Sequence, residues 1–288
     1  MQVLLYWDPR HAAVLTKTLM RLAAAFELSV DVLVTAADSA ALERAALPAL
    51  RVKRLPATGA PETDIVRACA QRPYDLVITP PADRPGLLRM ILGSRIGHLV
   101  RQAPATIWIA RPGADAIQRI VVGVSGGPQT AHDIRLTALL ARAFGAQVTL
   151  VHVVSQLPLI YGGLGMQPDW LGNDRMAKVE PGLARLREAG ELLAAASIPH
   201  ELVVREGLVD EELLAVANGA VGGRRADLLV LGAHAPSVHT PVDYYADIAE
   251  QVAQASPIAT LVVHAESDWS RWSAVYTGPS LEAGQAGF

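Results

Sequence analysis

Short apolar runs alternate along the chain with segments whose apolar residues have helical spacing. The runs 3–7 (VLLYW) and 119–124 (RIVVGV) end in small or polar residues, as strands buried on both faces of a parallel sheet do. The segments that follow each place four residues on one helical face: Leu15, Leu19, Leu22 and Phe26, then Leu136, Leu139, Leu140 and Ala143. The next runs, 30–35 and 147–154, again have strand character. The pattern predicts strands alternating with helices.

The same pattern occurs twice. Gly59 stands six residues before Ile65 and Gly207 six before Leu213, each opening a helix that contains acids. Both helices lead into strands that begin with Asp, 75–78 and 227–230, and the halves close with strands 105–109 and 259–263. The sequence therefore predicts an α/β, Rossmann-like fold: two tandem doubly wound parallel sheets of five strands, with helices on both faces.

The domain boundaries follow from breaks in this pattern. We expect domains at 1–112 and 118–265, joined by a linker containing Pro112 and Gly113, and a tail at 266–288. The second copy carries an insertion at 155–176, which is either a lid over a site or a surface for a partner. We expect the tail aromatics Trp269, Trp272 and Tyr276 to pack on the body of the protein.

Composition narrows the class of protein. Apolar residues make up 51% and charged residues 18% of the chain, and the net charge of −3 argues against nucleic-acid and membrane-surface partners. We find neither a signal peptide nor a run long enough to span a membrane. The lone cysteine, Cys69, excludes a disulfide framework, favours a cytoplasmic location and is expected to be a buried filler.

Candidate chemistry lies after the fourth strand, at residues 80–95. Gly93 and Ser94 precede a predicted helix, whose free N–H groups and dipole, with the Ser94 hydroxyl, suit a phosphate. The alternative is a helix cap without a ligand. Arg84, Arg89 and Arg95 crowd this loop and either meet phosphates or line a solvated face.

Residues 84–94 (RPGLLRMILGS) and 93–109 (GSRIGHLVRQAPATIWI) resemble the universal stress proteins. ATP-binding members of that family carry G-x-x-G, nine residues, then G-[ST]. The resemblance covers both copies and implies ATP or a related nucleotide, with Mg²⁺, in the first copy. It implies Asp8 at the ribose, Thr35 offering main-chain contacts to adenine, and Gly93 and Ser94 at the phosphates.

The sequence also departs from the family pattern. Pro80 replaces the first motif glycine and removes an N–H. Asp83 replaces the second and would repel phosphate unless a metal ion lay between them. These changes imply an altered site in the first copy. In the second copy Ala235 replaces a glycine, Ser125 replaces the acid, and Ala246 and Asp247 fall near the Gly-Ser pair, so we expect no ATP there.

Residues 125–130 (SGGPQT) are similar to the S-G-G-x-D-[ST] loop of ATP pyrophosphatases, with Gln129 in place of the Asp. A structural turn is the alternative interpretation. The histidines show no metal-binding spacing; His152 is predicted to be packed in a strand, and His234, His239 and Asp243 form a poor metal set. We assign neither a metal site nor a catalytic residue.

Three functional classes remain open. The first is a nucleotide-binding sensor or stress-response regulator that acts through the first copy. The second is a structural or interaction protein without a nucleotide, and the third is an ATP hydrolase or pyrophosphatase-type enzyme, for which we expect slow or absent turnover.

The resemblance also concerns partners. It implies that strands 105–110 and 259–264 pair across a pseudo-two-fold axis, as an internal dimer. Such pairing would cover two sticky edges. Homodimers of the whole chain and protein partners stay open.

Overall fold

The computed structural model of the protein describes residues 1–45, 47, 51–81, 95–113, 115–125, 129–155, 175–233, 244–264 and 268–278. The chain divides into two compact units, Met1–Ala114 with Pro257–Phe288, and Asp115–Ser256. Most of the predicted insertion at 155–176 falls outside the described residues. Across the described segments, no helix combines the length and apolar character that spanning a bilayer requires.

The first unit is built on parallel strands in the order β3-β2-β1-β4-β5. Its strands are β1 (Gln2–Tyr6), β2 (Ser29–Val34), β3 (Arg51–Pro56), β4 (Leu76–Thr79) and β5 (Thr106–Ile109). Its helices are α1 (Ala12–Ala23), α2 (Ser39–Arg44), α3 (Pro61–Gln71) and α4 (Arg95–Gln102). The chain runs outward from β1 to β3, then returns past β1 to β4, so right-handed crossovers put helices on both faces.

The second unit repeats this arrangement with the order β9-β6-β7-β8, again parallel. Its strands are β6 (Arg119–Gly123), β7 (Gln147–Ser155), β8 (His200–Gly207) and β9 (Leu228–Gly232). Its helices are α5 (Thr130–Phe144), α6 (Arg175–Ala195), α7 (Val209–Ala217) and α8 (Tyr244–Ala255). The predicted α/β class with two tandem copies is confirmed.

The last strand, β10 (Ala259–Val263), lies in the first compact unit although it closes the second repeat in sequence. It pairs antiparallel with β5, with Leu261 opposite Trp108 and Val262 opposite Ile107. In the repeat, Leu261 corresponds to Ile107 and Val262 to Trp108. The pairing is therefore symmetric, as it is between two strands related by a local two-fold axis. The prediction that these two strands meet is confirmed.

Two of the three tail aromatics, Trp272 and Tyr276, pack on the first unit, as expected. Helix α9 (Trp269–Ala274) places the Trp272 ring edge-on to Phe26, with centroids 6.0 Å apart, and Tyr276 lies 5.7 Å from the same ring. The Glu27 N–H donates to the Val275 carbonyl at 2.9 Å. Burial of Trp272 therefore anchors the tail to the segment between α1 and β2.

Asp75 and Asp227, which stand directly before β4 and β9, make equivalent contacts in the two repeats. The Asp75 carboxylate accepts the Gln2 N–H at 2.7 Å, and the Asp227 carboxylate accepts the N–H groups of Gln118 and Arg119 at 2.8 and 3.0 Å. Each carboxylate satisfies backbone donors at the start of the first strand of its repeat. The Asp that recurs at this position in both repeats thus makes the same kind of hydrogen bond in each.

Candidate functional site

The candidate site lies at the carboxyl ends of β1, β2 and β4. Asp8 follows β1 and Thr35 follows β2 directly, while Pro80 follows β4. The strand order reverses between β1 and β4, and ligands of open parallel sheets bind in the crevice at such a point. The topology therefore brings two of the predicted site residues, Asp8 and Thr35, to one edge of the sheet.

Asp8 is held by the residues that follow it. Its Oδ1 accepts the Arg10 backbone N–H at 2.9 Å, which caps the short 3-10 helix Pro9–His11. The Arg10 guanidinium donates hydrogen bonds to both carboxylate oxygens, with Nη2 2.7 Å from Oδ2. His11 Nδ1 lies 3.4 Å from the same Oδ2. The Asp8 side chain is only 12% exposed, whereas that of Arg10 is 83% exposed.

These contacts decide the charge of Asp8. Burial by itself would raise the pKa of Asp8, but the hydrogen bonds and positive charge of Arg10, with a contribution from His11, hold that pKa below its ordinary value. The first repeat therefore presents an ionised carboxylate just beyond β1. Its cationic partner stands largely in solvent, where an ion pair is weak and easily exchanged.

Tyr6, the last residue of β1, lies among several carboxylates. Burial, together with the negative charges of Asp64, Asp8 and Asp38, raises the pKa of Tyr6 to about 12. The phenol is therefore a neutral donor in an acidic environment. Sequence reasoning did not single out Tyr6, Asp38 or Asp64, because they come from three separate stretches and only the tertiary fold makes them neighbours.

Thr35 is engaged by its own turn. Its hydroxyl donates to Asp38 Oδ2 at 2.6 Å, and its carbonyl accepts the Asp38 N–H at 3.1 Å. The side chain is therefore committed to the turn after β2. The hydroxyl proton of Thr35 is taken by Asp38, while its carbonyl oxygen keeps a second lone pair.

Asp64 organises the turn between β3 and α3. Its carboxylate accepts the Thr58 N–H at 2.8 Å, the Thr58 hydroxyl at 2.9 Å and the Gly59 N–H at 3.3 Å, and it pairs with Arg67. Gly59 has φ +96°, a conformation that suits glycine. The glycine and the acid at the start of this predicted helix thus form a turn, in which the fully buried Asp64 carboxylate accepts backbone hydrogen bonds.

The predicted phosphate end is described only in part. Arg84, Gly93 and Ser94 lie outside the described residues, as does Asp83, and Arg95 is the first residue of α4. Pro80 is buried, and its carbonyl accepts the Thr79 hydroxyl at 3.3 Å. The roles of Arg84, Gly93, Ser94 and Arg95 at a phosphate therefore remain predictions.

The corresponding edge of the second unit differs in chemistry. Ser125, exposed after β6, stands where the register of β6 on β9 matches Asp8 in the first unit. The acid of this edge is Asp133, buried in the first turn of α5 against Gly232. Burial raises the pKa of Asp133 to about 8, opposed by a hydrogen bond from Gln129. This acid is predominantly protonated at pH 7.

His152 and Cys69, which could in principle bind a metal or act as a nucleophile, are buried packing residues. His152 is buried in β7, with Nδ1 2.9 Å from the Val124 carbonyl oxygen, as predicted. Cys69 is buried in α3, and burial raises the pKa of its thiol to about 11, so it is a poor nucleophile. Within the described ranges, no three His, Cys, Asp or Glu side chains are arranged to hold a metal ion. His234, His239, Asp243 and the Gly126–Gly127 pair lie outside those ranges.

The fold resembles that of several solved structures. A universal stress protein from Archaeoglobus fulgidus DSM 4304 is 13% identical, with a TM-score of 0.61, and the match covers 91% of this chain and 96% of that chain. A Pseudomonas aeruginosa UCBPP-PA14 protein described as a universal stress protein is 18% identical, with a TM-score of 0.58, covering 91% and 92%. At these identities the likeness shows the fold alone.

A shorter universal stress protein from Archaeoglobus fulgidus, solved in complex with dAMP, is 18% identical, with a TM-score of 0.35, covering 51% of this chain and 97% of that one. No curated protein sequence matches the chain. The sequence model of the universal stress protein family matches twice, over residues 4–111 and 116–264. These two matches span nearly the whole of both repeats, and the chain therefore belongs to the universal stress protein family.

Proposed function

We propose that the first repeat binds ATP or a related adenine nucleotide, with Mg²⁺, and that the protein is a nucleotide-dependent regulator of stress responses. The observation that carries this proposal is Asp8. It is an ionised carboxylate at the reversal point of the strand order, where the second repeat has Ser125. Membership of the universal stress protein family supports the nucleotide as the ligand class.

Asp8 suits the hydroxyl groups of a ribose. An ionised carboxylate has only acceptor sites, and vicinal hydroxyls offer two donors to its two oxygens. Arg10 occupies both oxygens in the described state, but its largely exposed side chain can return to solvent at little cost. We therefore expect nucleotide binding to exchange Arg10 for ribose at Asp8.

The remaining contacts follow the family pattern. Thr35 is assigned a main-chain contact to the base, since Asp38 takes its hydroxyl. Gly93 and Ser94 are assigned to the phosphates, and Arg84 and Arg95 to their charge. Helix α4 begins at Arg95, and the free N–H groups of a helix start favour anions. Pro80 provides no N–H, which places more of the phosphate contact on Gly93 and Ser94.

The second candidate function is an interaction protein that holds no nucleotide. Two observations favour it: Pro80 at the first motif glycine and the closed ion pair between Asp8 and Arg10. The experiment below separates the two functions, because only the first requires a nucleotide.

The test is nucleotide binding by the intact chain. Protein purified without added ligand is denatured and its supernatant chromatographed for nucleotides, and calorimetry follows ATP binding with Mg²⁺. Asp8→Asn removes the charge but keeps the shape, and we expect a loss of about tenfold in affinity, roughly 1.4 kcal/mol. The pair Gly93→Val with Ser94→Ala is expected to abolish binding.

Ser125→Ala is the matched control in the second repeat, and it should leave the affinity unchanged. Substitutions at Ala246 and Asp247 should also have no effect. Unchanged ATP affinity in the Gly93→Val, Ser94→Ala protein would reject the assignment, and no binding by the wild type would favour the interaction protein. Phosphate release above about 1 s⁻¹ with Mg²⁺ would instead indicate an ATP hydrolase.

A further inference from the structure

Strand β8 is an edge strand of unusual composition for an exposed edge. It is eight residues long, and among the described residues it pairs only with β7, at the end of the strand order. Leu202 and Val204 are 46% and 49% exposed, although both are large and apolar. Long edge strands with exposed apolar residues are templates for pairing with another chain, and natural proteins usually protect them.

The corresponding edge strand of the first unit, β3, is protected in the usual way. It carries Arg51, Lys53 and Arg54 along its length and ends at Pro56. A second copy of β3 placed beside it would bring like charges together, and proline lacks the N–H that a ladder needs. The contrast between the two edges indicates that the apolar character of β8 is a specific feature of that edge.

We infer that β8 is a homodimer interface, in which β8 of one chain pairs antiparallel with β8 of a second copy about a two-fold axis at Val203. In that register Leu202 lies opposite Val204 of the other copy, so that the exposed apolar side chains cover one another. Glu201 lies opposite Arg205, and His200 lies opposite Glu206. Each of these contacts occurs twice, as an isologous interface requires.

The neighbouring registers are less favourable. Residues directly opposite in an antiparallel pair point to the same face, so a symmetric pair can shift its centre only by whole residues, to Leu202 or Val204. Centred on Val204, Leu202 would face Glu206, and centred on Leu202, Glu201 would face Val203. Only the register centred on Val203 pairs apolar with apolar and acid with base.

The charged groups of β8 are arranged to allow this pairing. Arg205 donates through Nε to Glu212 at 2.7 Å, and a guanidinium has four further N–H groups for a second carboxylate. Glu201 accepts the Thr149 hydroxyl through Oε1 at 2.7 Å, and a carboxylate has several acceptor sites. Both groups can therefore keep their contacts within the chain and add one across the interface.

Cysteine cross-linking of the full-length chain tests the register. Val203→Cys places a thiol opposite its own copy, at the 4.5–5.5 Å Cα separation typical of facing antiparallel residues, which a disulfide can bridge. Leu202→Cys is the matched control, because its symmetric copy lies more than about 7 Å away. Cys69 is the only native cysteine and is buried, so it does not interfere.

Under mild oxidation we expect the Val203→Cys chain to form a covalent dimer at least tenfold faster than the Leu202→Cys chain. Val52→Cys, on the basic edge, should react as slowly as Leu202→Cys. Sedimentation of the unmodified chain should show a reversible dimer that Val204→Lys weakens at least tenfold. A wild-type chain that stays monomeric at all concentrations, or equal cross-linking by the three cysteine variants, would overturn the proposal.

Discussion

The two repeats share a strand order, but the described acids at their carboxyl edges differ in charge. In the first unit the acid follows β1, is gripped by Arg10 and is ionised. In the second unit Ser125 takes that position, and the acid, Asp133, is buried in the first turn of α5 with a pKa raised to about 8. One fold therefore supports an ionised acid in one repeat and a protonated acid in the other, because strand packing sets the architecture while a few side chains set the chemistry.

The largest expected effect is at the turn that follows the third strand of each repeat. Asp64 is fully buried and accepts three hydrogen bonds besides its pairing with Arg67, whereas Glu212 is partly exposed and pairs with Arg205. Asp64→Ala is expected to lower the free energy of unfolding by about 3 kcal/mol, since buried donors lose their acceptor. Glu212→Ala should cost about 1 kcal/mol or less.

Urea denaturation of both variants measures this difference. Glu43→Ala serves as the control, because Glu43 and its partner Arg54 are both exposed, and a change within about 0.5 kcal/mol is expected. Equal losses for Asp64→Ala and Glu212→Ala would show that burial does not distinguish the two turns.

The next effect concerns the buried acid of the second repeat. Folded protein keeps a proton on Asp133 that the unfolded chain releases above about pH 4. The contribution of Asp133 therefore lowers the free energy of unfolding as pH rises from about 4 to about 8, and is constant above that. Asp133→Asn, which is neutral throughout, should remove this dependence and stabilise the protein by about 1–3 kcal/mol at pH 8.

Thermal or urea unfolding at pH 5 and pH 8 checks this prediction. The gain from Asp133→Asn should be clearly smaller at pH 5, and Glu191→Gln, an exposed change on α6, should show no such dependence. A variant less stable than wild type at pH 8 would mean that the ionised carboxylate is stabilised by a partner.

The smallest effect should be equal in the two repeats. Asp75→Asn and Asp227→Asn each weaken the carboxylate that accepts backbone N–H groups at the start of the sheet. A neutral amide oxygen remains in place, so we expect a loss of about 1 kcal/mol in each variant. Urea denaturation of the two variants side by side measures it. A loss in one repeat only would contradict the structural equivalence of these residues.

The sequence alone determined the architecture of this protein. The alternating strands and helices, the two copies and the pairing of β5 with β10 all follow from local apolar patterns, turn residues and the family resemblance, and the structure confirms them. Such features are readable because a buried strand or helix face leaves a regular imprint on consecutive residues. The resemblance to the universal stress proteins also pointed to Asp8, which comes shortly after the first strand.

Only the tertiary structure decided the electrostatics. The clustering of Asp38 and Asp64 near Tyr6, the burial of Asp133 against Gly232 and the exposure of Leu202 and Val204 on an edge all join residues far apart in the chain or depend on strand order. The pKa of a carboxyl group follows from its burial and its charged neighbours, and both are properties of the folded molecule. The placement of β10 in the first compact unit was likewise decided by the tertiary structure, because β10 pairs with the open edge that β5 offers.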